Sequence, residues 1–311
     1  MGVLTVTVPS QDLHDRLEDL SDRVRLVRWD LGAPLDAALA DQVEVVVVPH
    51  YFVRPGAFDV LHGLPRLRLV QLPSAGFEHA LPHMPAGITL CNGRGVHSTG
   101  TAELALALTL AMQRGIPDAV VAQSEGRWST PMLHSLADRR VVVVGAGSVG
   151  AAVVARLRPF EVDVVQVGRT ARDTAEGHVH GVAELPDLVA DADVVILVVP
   201  LDHSTYRLVD ADLLARMKDG ALVVNLARGK VVDTDALLAE LTSGRLRAAL
   251  DVTDPEPLPA GHPLWHAPNV LITAHQGGNT DATGPRVAAV VHRLLEDLLA
   301  GREPRNVVAR T

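Results

Sequence analysis

Short runs of aliphatic and β-branched residues recur along the chain and stop at glycine, proline or polar clusters. They are VLTVTV at 3 to 8, VEVVVV at 43 to 48, LRLVQL at 67 to 72, VVVV at 141 to 144 and VDVVQV at 162 to 167. DVVILVV at 193 to 199, ALVVNL at 221 to 226, LRAALDV at 246 to 252 and NVLITAH at 269 to 275 follow. Apolar runs this continuous predict strands of parallel sheets covered on both faces. Between most of them the apolar positions have helical spacing, as in DALLAELTSG at 235 to 244, where Gly244 supplies a stop. The helical stretch TAELALALTLAMQR at 101 to 114 separates two sets of strands, so two α/β domains are expected. The amphipathic stretch GPRVAAVVHRLLEDLLAG at 284 to 301 is expected to return to the first domain, with no strand after it.

Composition narrows the class without changing this picture. The 311 residues are 48% hydrophobic and 21% charged, enough for two cores. A net charge of −9 gives no basic field for a polyanion, so small molecules are the expected partners, and neither nucleic acid nor membrane is. The start MGVLTVTVPSQ has no charged leader, and no apolar run approaches the roughly 20 residues of a membrane span; a cytoplasmic protein is expected. Cys91 is the only cysteine, which excludes an internal disulfide or a cysteine metal cluster, and it reads as a small buried apolar residue.

The segment VVVVGAGSVGAAVVARL places Gly145, Gly147 and Gly150 between a strand and a helix. In a dinucleotide-binding turn the first glycine permits the tight turn, the second lets the backbone approach a pyrophosphate, and the third allows close helix packing. Amides at the helix start then face the phosphates. The following strand, VVQVGRT, ends on Gly168, Arg169 and Thr170, where an NAD-binding protein carries an acid for the ribose hydroxyls. Glycine leaves room and arginine offers a planar charged fork for a 2′-phosphate, so NADP is the expected cofactor over NAD. The opposing reading makes Arg169 a solvated loop residue and gives the ribose to Asp173.

In open parallel sheets ligands lie beyond the carboxyl ends of the strands. The residues leaving those ends here are Arg228 in NLARGKVVD, Asp251 and then Glu256 in DVTDPEP, and His275. A cation, a carboxylate and an imidazole therefore converge on one edge of the sheet. Taken singly, each also reads as an ordinary strand-end or surface residue.

These motifs, with LPSAGFEH at 72 to 79, VPLDHSTYRLVD at 199 to 210 and ITAHQGG at 272 to 278, resemble the D-isomer-specific 2-hydroxyacid dehydrogenases over nearly the whole chain. The resemblance implies two doubly wound parallel-sheet domains, a Rossmann-type nucleotide domain (97–279) inserted in a flavodoxin-like substrate domain (1–96 and 280–311). It implies Arg228, Glu256 and His275 as the catalytic trio, and substrate held by Arg228 and by backbone amides around Ala75 and Gly76. Cofactor contacts are implied at Thr101, Ser148, Val149, Pro200, Thr205, Ala227 and Asp251, beside the three loop glycines, Arg169 and Thr170. The implied activity is hydride transfer between NAD(P)H and a small 2-keto acid such as glyoxylate or hydroxypyruvate, by a homodimer.

Two departures stand out: Gly168 itself, and Ala274, where many relatives have proline, which predicts a less rigid loop before the histidine. A formate dehydrogenase of similar fold would carry glutamine where Glu256 stands. A nucleotide-sensing corepressor of the same fold is the rival outside enzymes. Tyr51, Phe52, Val53 and Phe77 are either pocket residues or packing beneath the loop. His178 and His180 lack a third metal ligand and read as solvated loop residues, Glu103 as a capping or pairing residue of its helix, and Trp128 as an anchor for a partner subunit.

Overall fold

The structure is a computed structural model that describes residues 3–50 and 56–311. Tyr51, Phe52 and Val53, weighed above as pocket residues, lie outside the described residues. The chain divides into two compact units, residues 1–97 with 280–311 and residues 98–279.

The first unit holds a six-stranded sheet of β1 (Leu4–Val8), β2 (Val24–Arg28), β3 (Val45–Val47), β4 (Leu69–Gln71), β5 (Thr89–Cys91) and the last strand of the chain, β14 (Val307–Arg310), in the order β2-β1-β3-β4-β5-β14. The first five are parallel in the flavodoxin-type order. Valine runs suit them because successive side chains enter opposite faces and both faces are covered. Val45 and Val47 pack with Ala288, Val291, Leu294 and Leu295 of the helix Thr283–Leu299, whereas Val46 and Val48 pack with Phe58 and Leu61 on the other side. Cys91 is fully buried, and burial, with Glu303 adding to it, pushes its thiol up to about 12, as a small apolar role requires.

The second unit holds an eight-stranded sheet of β6 (Arg140–Val144), β7 (Asp163–Gly168), β8 (Arg172–Thr174), β9 (Gly177–Gly181), β10 (Val194–Leu197), β11 (Leu222–Asn225), β12 (Arg247–Leu250) and β13 (Val270–Ile272), in the order β13-β12-β11-β10-β6-β7-β9-β8. All pairings are parallel except the β8–β9 hairpin at one edge. The strand order reverses beside β6, the place where an open α/β sheet leaves a crevice. One face packs on Ala102 and Ala105 of the helix Ser98–Gln113 and on Val153 and Leu157 of the helix Ser148–Leu157. The other packs on Leu213, Leu214, Leu237 and Leu241.

Two expectations are corrected, and one strand is added. The closing helix is followed by a strand, because Gly301 turns at φ +67° and the buried Asp297 ties Arg302 at 2.8 Å and Arg305 at 3.4 Å, directing the chain into β14, antiparallel to β5. His178 and His180 stand on β9 and not in a loop; each Nδ1 lies 2.7 Å from a carboxylate, of Asp173 and Glu184 respectively. The edge strand β2, VRLVR, is too polar in alternation to announce itself. Among the described residues no single helix is long and apolar enough to cross a membrane.

Candidate active site

The three loop glycines have distinct steric reasons. Gly145 sits at φ +130° and a Cβ there would lie 2.6 Å from the Val198 carbonyl oxygen; at Gly150 it would lie 1.8 Å from that of Gly145. Both distances forbid a side chain: glycine at 145 lets the turn after β6 pass beside the end of β10, and glycine at 150 lets the helix Ser148–Leu157 start against that turn. At Gly147 a Cβ would meet nothing within 4 Å, so protein packing does not demand glycine there. Open space beside the uncapped helix start at Ser148, Val149 and Gly150 is the cradle a pyrophosphate requires. These residues fit a dinucleotide.

At the end of β7, Arg169 is 73% exposed and its Nη2 donates to Asp202 Oδ2 at 2.7 Å. Thr170 is exposed, and its carbonyl accepts from Arg172 at 3.4 Å. The sequence reading missed Arg172, whose guanidinium also donates to the Ala146 carbonyl of the glycine loop at 3.3 Å. It becomes visible only with the β8–β9 hairpin: β9 lies between β8 and β7, and the Arg172 side chain comes within 3.0 Å of a Cβ placed on Gly168. Asp173, the alternative ribose ligand, is engaged with His178 across that hairpin. Beyond β10 the Thr205 hydroxyl donates to the Pro200 carbonyl at 2.7 Å and accepts from the Asp202 amide at 2.8 Å, which closes the turn holding all three.

The trio gathers past the carboxyl ends of β11, β12 and β13. After β11, Asn225 shapes the turn by accepting from the Ala227 amide at 3.0 Å and donating to the Arg228 carbonyl at 3.1 Å. A Cβ at Gly229 would stand 1.9 Å from the Thr253 carbonyl oxygen, so glycine alone lets this turn meet the segment that leads to Glu256. Arg228 Nη1 donates to the Ala227 carbonyl at 2.7 Å. Glu256 Oε1 lies 2.6 Å from His275 Nδ1, and both side chains are 40% exposed. Burial pushes the Glu256 carboxyl up. The His275 hydrogen bond and charge, the Thr253 amide and the Arg228 cation outweigh burial and hold it below the ordinary glutamate range.

His275 occupies the left-handed region at φ 52°, a conformation a non-glycine residue keeps only when its surroundings insist. The buried Asp251 supplies that insistence. Its carbonyl accepts from the His275 amide at 2.7 Å, and its carboxylate accepts from Thr273 at 2.5 Å, Gln276 at 2.8 Å and Gly277 at 3.0 Å. The loop after Ala274 is therefore held without a proline, and Asp251, predicted as a cofactor contact, spends both oxygens on it. Thr101 belongs to the same cluster: its side chain, like the Asp251 carboxylate, lies within 3.4 Å of a Cβ placed on Gly277.

In the first unit, Ala75 and Gly76 lie in a turn whose carbonyls are taken, Ala75 by Asn92 at 2.6 Å and Gly76 by the Ser74 hydroxyl at 2.8 Å. Phe77 packs against the core cluster of that unit, as the packing alternative had it. Glu103 pairs with Arg156 at 3.7 Å. Trp128 and Met132 are almost fully exposed, close in sequence to exposed Ile116, Val120 and Val121.

With this geometry in place, comparison with known proteins is specific. Residues 106–277 match the family model of the D-isomer specific 2-hydroxyacid dehydrogenase NAD-binding domain. The chain is 33% identical to a glyoxylate reductase of Thermofilum pendens over 80% of its own length and 77% of the relative's. It is 34% identical to the glyoxylate reductase/hydroxypyruvate reductase of Homo sapiens over 76% of its length and 74% of the relative's. A D-isomer specific 2-hydroxyacid dehydrogenase from Xanthobacter autotrophicus Py2, solved with NADPH and MES, superposes with a TM-score of 0.83 at 30% identity, covering 100% of this chain and 99% of that one. The chain belongs to the D-isomer specific 2-hydroxyacid dehydrogenase family and is an NAD(P)-dependent oxidoreductase of 2-hydroxy acids.

Proposed function

We propose that this protein is an NADPH-dependent reductase of a small 2-keto acid of the glyoxylate and hydroxypyruvate class, with residues 97–279 binding the cofactor and residues 1–96 with 280–311 contributing to substrate binding. The observation that carries the reading is the 2.6 Å pair of His275 and Glu256 under the charge of Arg228. The nicotinamide, when bound, supplies hydride to the keto carbon. Arg228 binds the substrate and stabilises the oxygen as it becomes an alkoxide, and His275 delivers the proton. Glu256 fixes the imidazole through Nδ1, leaving Nε2 for the substrate oxygen. Backbone amides at Ala75 and Gly76 hold the substrate carboxylate.

NADPH is favoured because β7 ends on Gly168 in place of an acid and is followed by Arg169, Thr170 and Arg172, while Asp173 is engaged with His178. The two curated relatives described above carry the substrate class by name. Steady-state rates with NADPH and NADH against 2-keto acids from glyoxylate to phenylpyruvate test this: the expected result is highest kcat/KM with NADPH and the two smallest hydroxylated or unsubstituted acids. No turnover with any 2-keto acid would leave a nucleotide-sensing protein as the better reading.

The proposal extends to a cytoplasmic homodimer. Trp128, 96% exposed, and Met132, 99% exposed, are costly to leave in water and suit a subunit interface. A dimer mass by light scattering at micromolar concentration is expected, reduced toward the monomer by Trp128→Ser; a monomeric parent protein would refute it.

A further inference from the structure

We propose that Asp202 moderates cofactor specificity: it is the counter-ion of Arg169 in the free protein, and the 2′-phosphate of NADPH must displace it from that guanidinium. This rests on the reading of Arg169 as the 2′-phosphate ligand. The pair is tertiary, spanning 33 residues, with Arg169 following β7 and Asp202 following β10; their atoms meet at 2.7 Å. Asp202 is held in place without help from Arg169. Its Oδ1 accepts from the Ser204 amide at 2.8 Å and the Ser204 hydroxyl at 2.6 Å, and its own amide donates to the Thr205 hydroxyl at 2.8 Å. One carboxylate oxygen thus builds the turn and the other serves the arginine.

The hydrogen bond from the Ser204 hydroxyl, against a smaller opposing effect of burial, holds the Asp202 carboxyl below the ordinary aspartate range, with the Arg169 charge contributing. The competing anion is therefore fully charged near neutral pH. A 2′-phosphate arriving at Arg169 has to break an existing charge-assisted bond before gaining its own, whereas the 2′-hydroxyl of NADH enters no such exchange. Arg172 donates to backbone carbonyls, so the contest is confined to Arg169. Asp202 in this way moderates the NADPH preference that Arg169 creates, and keeps NADH usable.

The test is calorimetric binding of NADPH, NADH and adenosine 2′-monophosphate to the intact protein at low ionic strength. Asp202→Asn keeps the Oδ1 acceptor that builds the turn but presents an amide to Arg169. The expected result is a rise of about 1.5- to fivefold in the ratio of NADPH to NADH affinity, the strength of one exposed ion pair. The gain should appear with adenosine 2′-monophosphate as well, shrink at high salt, and vanish in the Arg169→Ala background. Asp202→Ser, which retains a turn-forming oxygen, should behave alike and serves if the asparagine variant folds poorly. An unchanged or lowered ratio, while Arg169→Ala still weakens NADPH, overturns the exchange alone. A gain of equal size without Arg169 reduces Asp202 to simple repulsion and also overturns it. NADPH affinity untouched by Arg169→Ala removes the 2′-phosphate reading and this inference together.

Discussion

Replacing His275 by alanine is expected to slow reduction of the 2-keto acid by about 10² to 10⁴-fold, the range for loss of a positioned proton donor. Cofactor affinity should hardly change, because His275 belongs to the proton-delivery side of the proposed site. Arg228→Ala should lower kcat and raise KM together, since the guanidinium both anchors substrate and stabilises the developing alkoxide. Rapid-kinetic measurement of the hydride step, with circular dichroism to establish folding, separates these effects from a general loss of structure. Near-parental turnover in either folded variant would sink the assignment of the trio.

Glu256→Gln completes the test through pH. Glu256 has its carboxyl held below the ordinary value, so the stabilisation it contributes is fully present above the unfolded-state pKa. That contribution is lost as pH falls from the unfolded-state value through the lowered folded-state value. The glutamine variant should therefore lose part of the acid-side decline in stability, and its pH profile of kcat/KM should change because a charged acceptor for the imidazole Nδ1–H is gone. Profiles that superpose on those of the parent would show that the 2.6 Å contact does not act in catalysis.

What the sequence made legible follows from how each feature is encoded. The buried parallel strands are continuous valine and leucine runs, and burial on both faces leaves no other pattern available to them. The glycine loop is equally legible, since its spacing is local to one strand–turn–helix: Gly150 is dictated by the Gly145 carbonyl within the turn, although Gly145 is dictated by the Val198 carbonyl beyond β10. Edge elements were harder to read. β2, β8 and β14 are short and half solvated, so their residues satisfy water as well as a sheet and carry no distinctive period.

The site divides along the same line. Arg228, Glu256 and His275 were visible because each leaves a strand that announces itself. Asp251 was visible as a residue but not in its work of restraining a left-handed histidine, because that work depends on three donors 22 to 26 residues away. Arg172 and Asp202 were missed for the same reason: hairpin register brings one to the glycine loop, and a turn beyond another strand brings the other to Arg169. Local chemistry is written locally, and charge pairing across strands is not.

Arg169→Ala is expected to weaken NADPH by about tenfold and to leave NADH nearly unaffected, because NADH has no 2′-phosphate to lose. A charge-assisted hydrogen bond contributes about 1.5 to 3 kcal/mol, or roughly ten- to 150-fold in affinity. Two features of the structure move the expectation to the lower end. Arg169 is 73% exposed, so its attraction to a phosphate is screened, and it already donates to Asp202, so binding exchanges one anion for another. Gly168→Asp tests the same site from the other side. The added carboxylate repels the 2′-phosphate and offers an acceptor to the ribose hydroxyls, which should shift preference toward NADH. The gain for NADH should nevertheless be limited, because a Cβ at Gly168 would lie 3.0 Å from both Arg172 Nη1 and Val179 Cγ1 and 3.2 Å from the Ala146 Cβ. Arg172 has a flexible end and can yield, but in doing so it gives up its bond to the glycine loop. Titrating both cofactors against the parent and the two variants distinguishes the outcomes. If the parent protein binds NADH more tightly than NADPH and Arg169→Ala changes neither, Arg169 is a solvated partner of Asp202 and cofactor choice lies elsewhere.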